Sequence, residues 1–249
     1  QQIRKYGNPQ LSVSVQRAPV EKPLLKFVST PRVRLKIAEG FIAKQNKFNN
    51  CNFFMVNGAV SSSSEITKLL HHSFENKEAT YFLVCKSFNN EVLYTLKENY
   101  DRGITNVIPV EFGFDLNSIN SLVDLHSIVG GLPVSSDLGD VLSAADISRS
   151  GFSDQVIVDS QSFNIRPSKD NKEHVKRLSK QIQESETEKR KLLSKRLIAL
   201  RGNACNVYLP DRSSFDSVEL NIRHSVLLMN QMSKHGVCEL RAGKNKFYI

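Results

Sequence analysis

The chain has 249 residues, of which 40% are hydrophobic and 24% are charged, and it is long enough to bury a sizeable core as one large domain or as a domain with smaller companions. No stretch approaches the ~20 consecutive apolar residues that span a bilayer, and residues 1–17 lack the apolar core of a signal peptide, so neither a membrane-spanning nor a secreted protein is expected. The net charge of +9 is uneven, because residues 166–201 carry 12 Lys or Arg against 5 Asp or Glu, without the interleaved aromatics of a single-strand nucleic-acid platform.

The first sixty residues predict three strands. Apolar and polar residues alternate over residues 11–15 and again over residues 33–37, as they do in half-buried strands. The prolines between these two segments argue against a helix there. Residues 53–56 are all apolar and precede the turn-prone pair Asn57-Gly58, which predicts a short buried strand.

The next fifty residues predict a helix followed by a strand–helix–strand unit. A Ser and a Glu with capping-box spacing precede an apolar stripe, which predicts a helix over residues 65–75. Strands are predicted over residues 81–85 and 106–111, with a helix over residues 90–101 between them. This order is the βαβ pattern of a parallel sheet, so we predict an α/β fold.

The last part of the chain predicts one more helix, a strand pair, a helical hairpin and a final helix. The first helix begins near Asn117 and ends at Gly130-Gly131. Strands are expected at 156–158 and 163–165. Two charged helices with apolar stripes form a hairpin over about 169–201, which we expect to pack along one side of the sheet. A last helix is predicted from about residue 216.

The cysteines stand far apart and form no CxxC pair. Cys85 ends an apolar run, where a small buried thiol is common. We therefore predict neither a disulfide framework nor a cysteine metal site, and we expect a reducing compartment, either the cytoplasm or an organelle matrix.

The sequence offers no catalytic or metal-binding constellation. His71 and His72 are adjacent on a predicted helix, where their side chains point about 100° apart and cannot easily share a metal. Asp137 and Asp140 follow a serine pair and are read as helix caps. HExxH, GxSxG and GxGxxG are absent. We predict no catalytic residue, no metal and no cofactor.

Three stretches in a fixed order carry a resemblance to a known family. They are KSFNNEVLYTL with NYDRGI, then VIPVEFGFD, then GGLPVSSDLG. They resemble the apical domain of group I chaperonins, the GroEL family, and a weaker likeness extends from about Tyr6 to about Gly236. The resemblance implies an apical-domain-like α/β core of layered sheets with flanking helices, plus a small α+β intermediate-like domain.

The same resemblance implies how the chain is divided. Residues 1–38 are similar to the first segment of the family's intermediate domain, and residues 39–202 to its whole apical domain. Residues 203–249 resemble the returning intermediate segment with the start of an equatorial portion.

In that family the apical domain binds unfolded polypeptides, or the mobile loop of a co-chaperonin, in an apolar groove between two helices. The resemblance places these helices at residues 65–75 and 90–101. Leu70 and Leu93 fall where the family has leucines facing the groove, and Phe48 lies near a loop that contributes aromatics. Such a groove works by burying apolar area, at roughly 25 cal/mol per Å².

Three residues depart from the family's groove. Lys97 and Glu98 stand at positions that are apolar in the family, and Ser73 replaces a leucine. With these changes the groove buries less apolar area, so weaker general affinity for unfolded chains is expected. The alternative for Leu70 and Leu93 is that both simply pack inward.

The resemblance also implies that ATP hydrolysis is lost. The family's phosphate loop would lie before Gln1, His224 stands in place of the family's catalytic aspartate, and residues 239–242 read Glu-Leu-Arg-Ala in place of a triple glycine. A histidine cannot replace an anionic carboxylate beside magnesium and three phosphates without different chemistry.

We therefore predict a chaperonin-like protein that binds polypeptides, either unfolded clients or a specific partner subunit, and has no ATPase activity. Two alternatives stay open. One is the central fragment of a divergent, ring-forming chaperonin that assists protein folding. The other is a structural component of a large assembly that docks on nucleic acid or an acidic partner through Lys189, Arg190 and Lys191.

Overall fold

The computed structural model of the chain describes residues 12–28, 30–113, 116–135, 139–159, 162–202, 204–210, 216–218, 220–222, 224–225, 227–228, 239–242 and 245–248. Its contacts form two compact units. The larger unit is Thr30–Leu200, and the smaller one combines Gln1–Ser29 with Arg201–Ile249. The boundaries implied by the chaperonin resemblance, at residues 38/39 and 202/203, stay predictions about domain equivalence.

The strands of the described residues are β1 (Ser12–Ala18), β2 (Leu24–Val28), β3 (Arg32–Val33), β4 (Lys36–Ile37), β5 (Lys47–Met55), β6 (Ala59–Val60), β7 (Thr80–Cys85), β8 (Ser87–Phe88), β9 (Val107–Glu111), β10 (Gly151–Asp159), β11 (Ser162–Ile165), β12 (Ala204–Pro210), β13 (Glu239–Ala242) and β14 (Asn245–Tyr248). The helices are α1 (Thr67–Glu75), α2 (Asn90–Asp101), α3 (Leu116–Val129), α4 (Lys172–Glu184) and α5 (Thr187–Arg201). Short 3-10 turns cover Ser63–Ile66, Leu142–Ala144 and Ile147–Arg149.

The smaller unit contains a three-stranded sheet in which β12 lies between β1 and β2. β12 runs parallel to β1 and antiparallel to β2, while β13 and β14 form an antiparallel pair. Val207 and Leu209 of β12 are buried and pack against Val15, Val218 and Ile222. The predicted strand over residues 11–15 is confirmed from Ser12 on, while residue 11 lies outside the described residues, and the described residues between 216 and 228 are helical, as predicted.

The larger unit is built on a seven-stranded sheet in the order β3-β11-β10-β5-β7-β9-β4. Its centre, β5-β7-β9, is parallel, and the strands outside it pair antiparallel. β7 is buried along its whole length, as expected for a central parallel strand that is covered on both faces. The predicted βαβ unit is confirmed.

A phenylalanine cluster forms the core on one face of this sheet. The Phe82 ring lies 5.3 Å from that of Phe48, 5.1 Å from that of Phe53 and 5.3 Å from that of Phe163. Side chains alternate along a regular strand, so Phe48 and Phe53, five residues apart, would face opposite sides. Asn50, with a φ of 51°, interrupts that alternation and allows both rings to reach Phe82.

Helices cover both faces of the sheet. α1 lies on the face opposite the phenylalanine cluster, where the His72 ring meets the Tyr81 ring edge-on at 5.6 Å. α3 lies on the cluster's face, because its end at Val129 packs against Gly151, the register partner of Phe53. This layered arrangement places α1 and α2, the connections between successive parallel strands, side by side.

The helical hairpin is formed by α4 and α5, as predicted, and it packs against α3. Leu193 and Leu197 of α5 are buried in the same core as the sheet. Asp124 of α3 accepts two hydrogen bonds from Arg196, at 2.7 and 3.0 Å, and lies 2.8 Å from His174 Nε2. The buried leucines of α5 and the ion cluster at Asp124 therefore both hold the hairpin in place.

Two local predictions are wrong. Residues 33–37 do not form one strand, because β3 and β4 pair at opposite edges of the sheet and the buried Leu35 lies between them. Asp140 does not cap a helix, since its carboxylate accepts a hydrogen bond from the Ser135 amide at 3.0 Å. Asp137 lies outside the described residues.

Candidate functional site

The candidate site is the surface of α1 and α2, and its helix starts are set by polar side chains. The Ser62 hydroxyl accepts a hydrogen bond from the Ser64 amide, and the Glu65 carboxylate accepts one from the Ser61 amide. Each bond satisfies a backbone donor that the helix start leaves free. The predicted helix over residues 65–75 is therefore a 3-10 turn, Ser63–Ile66, continued by α1.

α2 begins in a similar way, since Asn89 Oδ1 accepts a hydrogen bond from the Glu91 amide. Its buried face consists of Val92, Leu96 and Tyr100, which recur at helical spacing and pack on the sheet. The inner face of each helix thus belongs to the core, and the flanks and outer faces remain for contacts with partners.

A hydrogen-bonded contact shows which flank of α2 faces the 3-10 turn that leads into α1. The Ser63 hydroxyl donates to Glu91 Oε1 at 3.3 Å and lies 3.1 Å from the Thr95 hydroxyl. Two residues along an α-helix turn the side chain by about 200°, so Leu93, two residues from each, lies on the far flank. Glu98, two turns after Glu91, shares the near flank.

The far flank of α2 faces residues 41–44. Tyr100, which follows Leu93 by two helical turns, has its ring 5.0 Å from that of Phe41, and its hydroxyl accepts a hydrogen bond from the Lys44 amide at 3.1 Å. Lys97 lies one turn after Leu93 on the same side. The structure therefore does not bring Leu93 and Lys97 into the space between the two helices.

On α1, Leu70 and Phe74 lie one turn apart on the flank toward α2. The opposite flank carries Lys68 and His72, which line a separate cleft beside the turn at residues 144–148. Leu70 lies two residues from each of them, so it points the other way. Among the predicted groove residues, the structure thus brings Leu70 and Glu98 toward the same space.

Two predicted groove residues lie inside the protein. Phe48 is 0% exposed within the phenylalanine cluster. Ser73 is also 0% exposed, and its hydroxyl accepts a hydrogen bond from the Asn106 amide at 3.0 Å. Neither side chain reaches the surface as placed here, so both leave the candidate site. Ser73 instead fixes the end of α1 to the start of β9.

The charged residues of α2 pair within the helix. Lys97 Nζ lies 2.6 Å from Asp101 Oδ2, and Arg102 lies 2.9 Å from Glu98 Oε2. The hydrogen bond to Asp101 and its charge raise the pKa of Lys97. These pairs cover part of the helix surface with charge and reduce the apolar area that a client can bury.

Two exposed aromatic residues of these helices are not among the site residues predicted from the sequence. Phe74 is 51% exposed and Tyr94 is 67% exposed. Tyr94 lies two residues from both Val92 and Leu96, so the helical period alone would have placed it outward. The exposed Tyr94 ring, and the exposed Phe74 ring one turn after the half-buried Leu70, offer the apolar contacts that binding surfaces use.

The three basic residues of the alternative docking surface lie at the start of α5 and are exposed. Lys191 Nζ bonds to Glu188 Oε1 at 2.8 Å, and Arg190 Nε donates to the Ile182 carbonyl at 3.2 Å. Two of the three cations are therefore already engaged within the hairpin. Their role as a nucleic-acid or acidic-partner contact stays a prediction.

The positions tied to ATP hydrolysis lie in the smaller unit. His224 is exposed in a helical segment, and residues 239–242 form β13. No three His, Cys, Asp or Glu side chains of the described residues are close enough together to hold a metal ion. Nor is any helix in this part of the chain long and apolar enough to cross a membrane.

No protein-family model matches the chain. Among solved structures it is similar to the chaperonin gp146 from the bacteriophage EL 2 (Pseudomonas aeruginosa), determined in the presence of ATP-BeFx. One crystal form gives a TM-score of 0.59 with 13% identity over 92% of this chain and 47% of that chain. A second crystal form gives 0.60 with 14% identity over 90% and 45%. The chain spans about half the length of these structures, and its fold is chaperonin-like, which confirms the predicted fold class.

Proposed function

We propose that this chain binds other polypeptides through the α1–α2 surface, defined by Leu70, Phe74 and Tyr94. The observation that carries the proposal is the exposure of Phe74 and Tyr94 on paired helices of a chaperonin-like fold. An exposed aromatic ring contributes large apolar area at little conformational cost when a partner covers it. The surface therefore suits apolar segments of an unfolded client or of a partner subunit.

The pairs Lys97–Asp101 and Glu98–Arg102 favour a selective surface over a general one. A client that covers them must bury charges, which binding tolerates only where the partner supplies matching polar groups. We therefore propose that the preferred partners carry apolar residues flanked by polar or charged ones. The assignment to the group I branch of the chaperonins depends on the sequence resemblance alone.

We also propose that the chain does not hydrolyse ATP. The proposal is supported by His224 and by the side chains of residues 239–242, at positions where the resembled family has a carboxylate and glycines. The ring-forming alternative predicts that the native protein is an assembly of several subunits, which native mass spectrometry can test directly. The nucleic-acid alternative has less support, since Arg190 and Lys191 are engaged within the hairpin.

The test of polypeptide binding is capture of a chemically denatured, aggregation-prone client, followed by light scattering and by co-purification. The double variant Phe74→Ala/Tyr94→Ala should weaken capture about fivefold or more, because truncated anchor residues cost more than 1 kcal/mol in binding surfaces. The control Leu132→Ala/Phe152→Ala removes two exposed apolar side chains that lie on neither helix. Equal capture by both double variants and by the unmodified chain would contradict the proposed surface.

A further inference from the structure

A cleft of about 720 Å³ lies on the flank of α1 that faces away from α2. Its floor is the sheet at Asn52 and Tyr81, one wall is α1 with Lys68 and His72, and the other wall is formed by residues 144–148. Its volume falls within the range of about 300–1,000 Å³ that ligand sites occupy. The cleft is not part of the α1–α2 surface.

The floor of the cleft follows from strand register. Asn52 of β5 and Tyr81 of β7 are register partners in the parallel pair, so their side chains lie next to each other on the face that α1 covers. α1 reaches this face at His72, whose ring contacts Tyr81 edge-on. Beside that contact, the 3-10 turns Leu142–Ala144 and Ile147–Arg149 contribute residues 144–148 to the opposite wall of the cleft.

One buried polar group at the cleft has no partner within the described residues. It is the Ser150 hydroxyl. The Asn52 carboxamide is partly exposed, and the Tyr81 hydroxyl is not a buried, unsatisfied group although Tyr81 as a whole is only 3% exposed. Burying a polar group without a partner is unfavourable, and proteins retain such a group mainly where a ligand or water completes it.

The charged groups at the rim pair with one another. The Ser148 hydroxyl and amide both donate to Asp146, at 2.6 and 2.9 Å, and together with the charges of Arg149 and Lys68 they lower the pKa of that carboxyl. His71 Nδ1 lies 3.5 Å from Glu75 Oε1. Because these charges of opposite sign offset one another, the cleft does not favour an anion such as a phosphate.

We propose that this cleft binds a short, uncharged, extended polypeptide segment through its main-chain amides. A primary carboxamide both donates and accepts, so Asn52 can pair with the N–H and the C=O of one peptide group. Tyr81 and Ser150 can donate to further carbonyls. This inference rests on the proposed polypeptide binding and deepens it: the α1–α2 surface takes apolar side chains, and the cleft takes the adjoining main chain.

The test uses the full 249-residue chain. The probe is a blocked peptide, acetyl-Ser-Gly-Ala-Gly-Ser-amide, titrated while protein amide signals are followed by NMR. Shifts should concentrate at Asn52, Tyr81 and residues 144–150. Asn52→Ala and Tyr81→Phe should each weaken binding about fivefold or more, and the same peptide with N-methylated amides should not bind. Tyr100→Phe removes a hydroxyl outside the cleft and should leave binding unchanged.

Two results would overturn the inference. One is binding that survives both N-methylation and Tyr81→Phe, and the other is a response to inorganic phosphate in place of the peptide. The variant Phe74→Ala/Tyr94→Ala separates this site from the proposed function, because it should lose client capture and keep the peptide response. Client capture without any peptide response would contradict only the proposed peptide binding in the cleft. A peptide response without client capture would contradict only the proposed binding at the α1–α2 surface.

Discussion

Gly131 is a position where only glycine fits, for reasons of both space and conformation. Its φ is +71°, and a Cβ there would lie 2.4 Å from the Gly151 amide nitrogen and 2.7 Å from the Arg149 carbonyl oxygen. We expect Gly131→Ala to lower the free energy of unfolding by about 3 kcal/mol, through the clash added to left-handed strain. Urea unfolding at equilibrium measures the change.

Gly103 supplies the matched control for Gly131. It has a φ of +67°, but a Cβ there would have no neighbour within 4 Å. Gly103→Ala should therefore cost only the left-handed conformation, about 1–2 kcal/mol. If the two variants lose the same free energy of unfolding, the close approach between residues 131 and 151 does not make Gly131 necessary.

The thiols of Cys51 and Cys85 should be inert in the folded protein. Burial raises the pKa of Cys51 from 9.0 to about 12, and burial together with the charge of Glu111 raises the pKa of Cys85 further. Alkylation needs the thiolate. At pH 8 we expect iodoacetamide to leave both residues unmodified until urea unfolds the chain, as mapped by peptide mass spectrometry.

The same pKa shifts make stability depend on pH. Because both folded pKa values are raised, the folded state keeps protons that the unfolded state releases, and the contribution is complete below the ordinary thiol value of 9.0. It is lost as pH rises from 9.0 toward about 12. Labelling of native Cys51 at pH 8, at the rate of a free thiol, would contradict the burial on which this rests.

Residue-level prediction failed at Phe48, near an irregular point of a strand, and at Ser73, whose partner is distant in sequence. Phe48 is predicted near a loop that contributes aromatics to the groove, but it lies in the core, two residues before the left-handed Asn50. Asn adopts the left-handed conformation more readily than most residues, so the pair Asn49-Asn50 was a signal for an interrupted strand, although it does not show which way Phe48 then points. Ser73 was read as a lost groove leucine, whereas its hydroxyl bonds to a strand that is distant in sequence. Such a partner is not visible in a local pattern.

At the scale of elements, the hairpin of α4 and α5 depends on one carboxylate. Asp124 is 7% exposed and carries the hydrogen bonds from Arg196 and the contact with His174. Asp124→Ala leaves a largely buried guanidinium without its anion, which costs about 3–5 kcal/mol. We expect earlier urea unfolding and faster amide exchange in α4 and α5.

The exposed pair Asp170–Lys172 provides the control for Asp124. Its atoms lie 2.9 Å apart, yet solvent screens the pair, so Lys172→Ala should change the unfolding midpoint little. Comparable losses from both substitutions would mean that burial does not set the importance of the Asp124 cluster. Unchanged amide exchange in α4 and α5 after Asp124→Ala would show that the Asp124 cluster does not hold the hairpin against α3.

Elements with a strong period could be predicted, and short ones could not. The helix over residues 90–101 and the strand over residues 81–85 match α2 and β7 within a residue, because each has a full set of apolar positions. The alternation over residues 33–37 is equally clear, but it cannot reveal that its halves pair with β11 and β9. Pairing partners are decided by the whole sheet.

For the molecule as a whole, the sequence predicted the two helices that form the candidate site but not their rotation. The chaperonin-like fold brings α1 and α2 together, as the order of the βαβ units requires. The flank each helix presents depends on a tertiary contact, Ser63 with Glu91 and Thr95, which turns Leu93 away from Leu70. A resemblance to a family therefore predicts the order of helices and strands more reliably than the direction in which single side chains point.

The whole-molecule proposal also predicts no ATP turnover. With purified chain, magnesium and ATP, phosphate release should equal that of buffer alone, because a histidine cannot act as the carboxylate that activates water beside a metal-bound triphosphate. His224→Asp should not restore activity, since the side chains of residues 239–242 would still stand where the resembled family has glycines. Turnover that co-purifies with the chain and disappears in His224→Ala would overturn the proposal, because it would assign His224 a catalytic role.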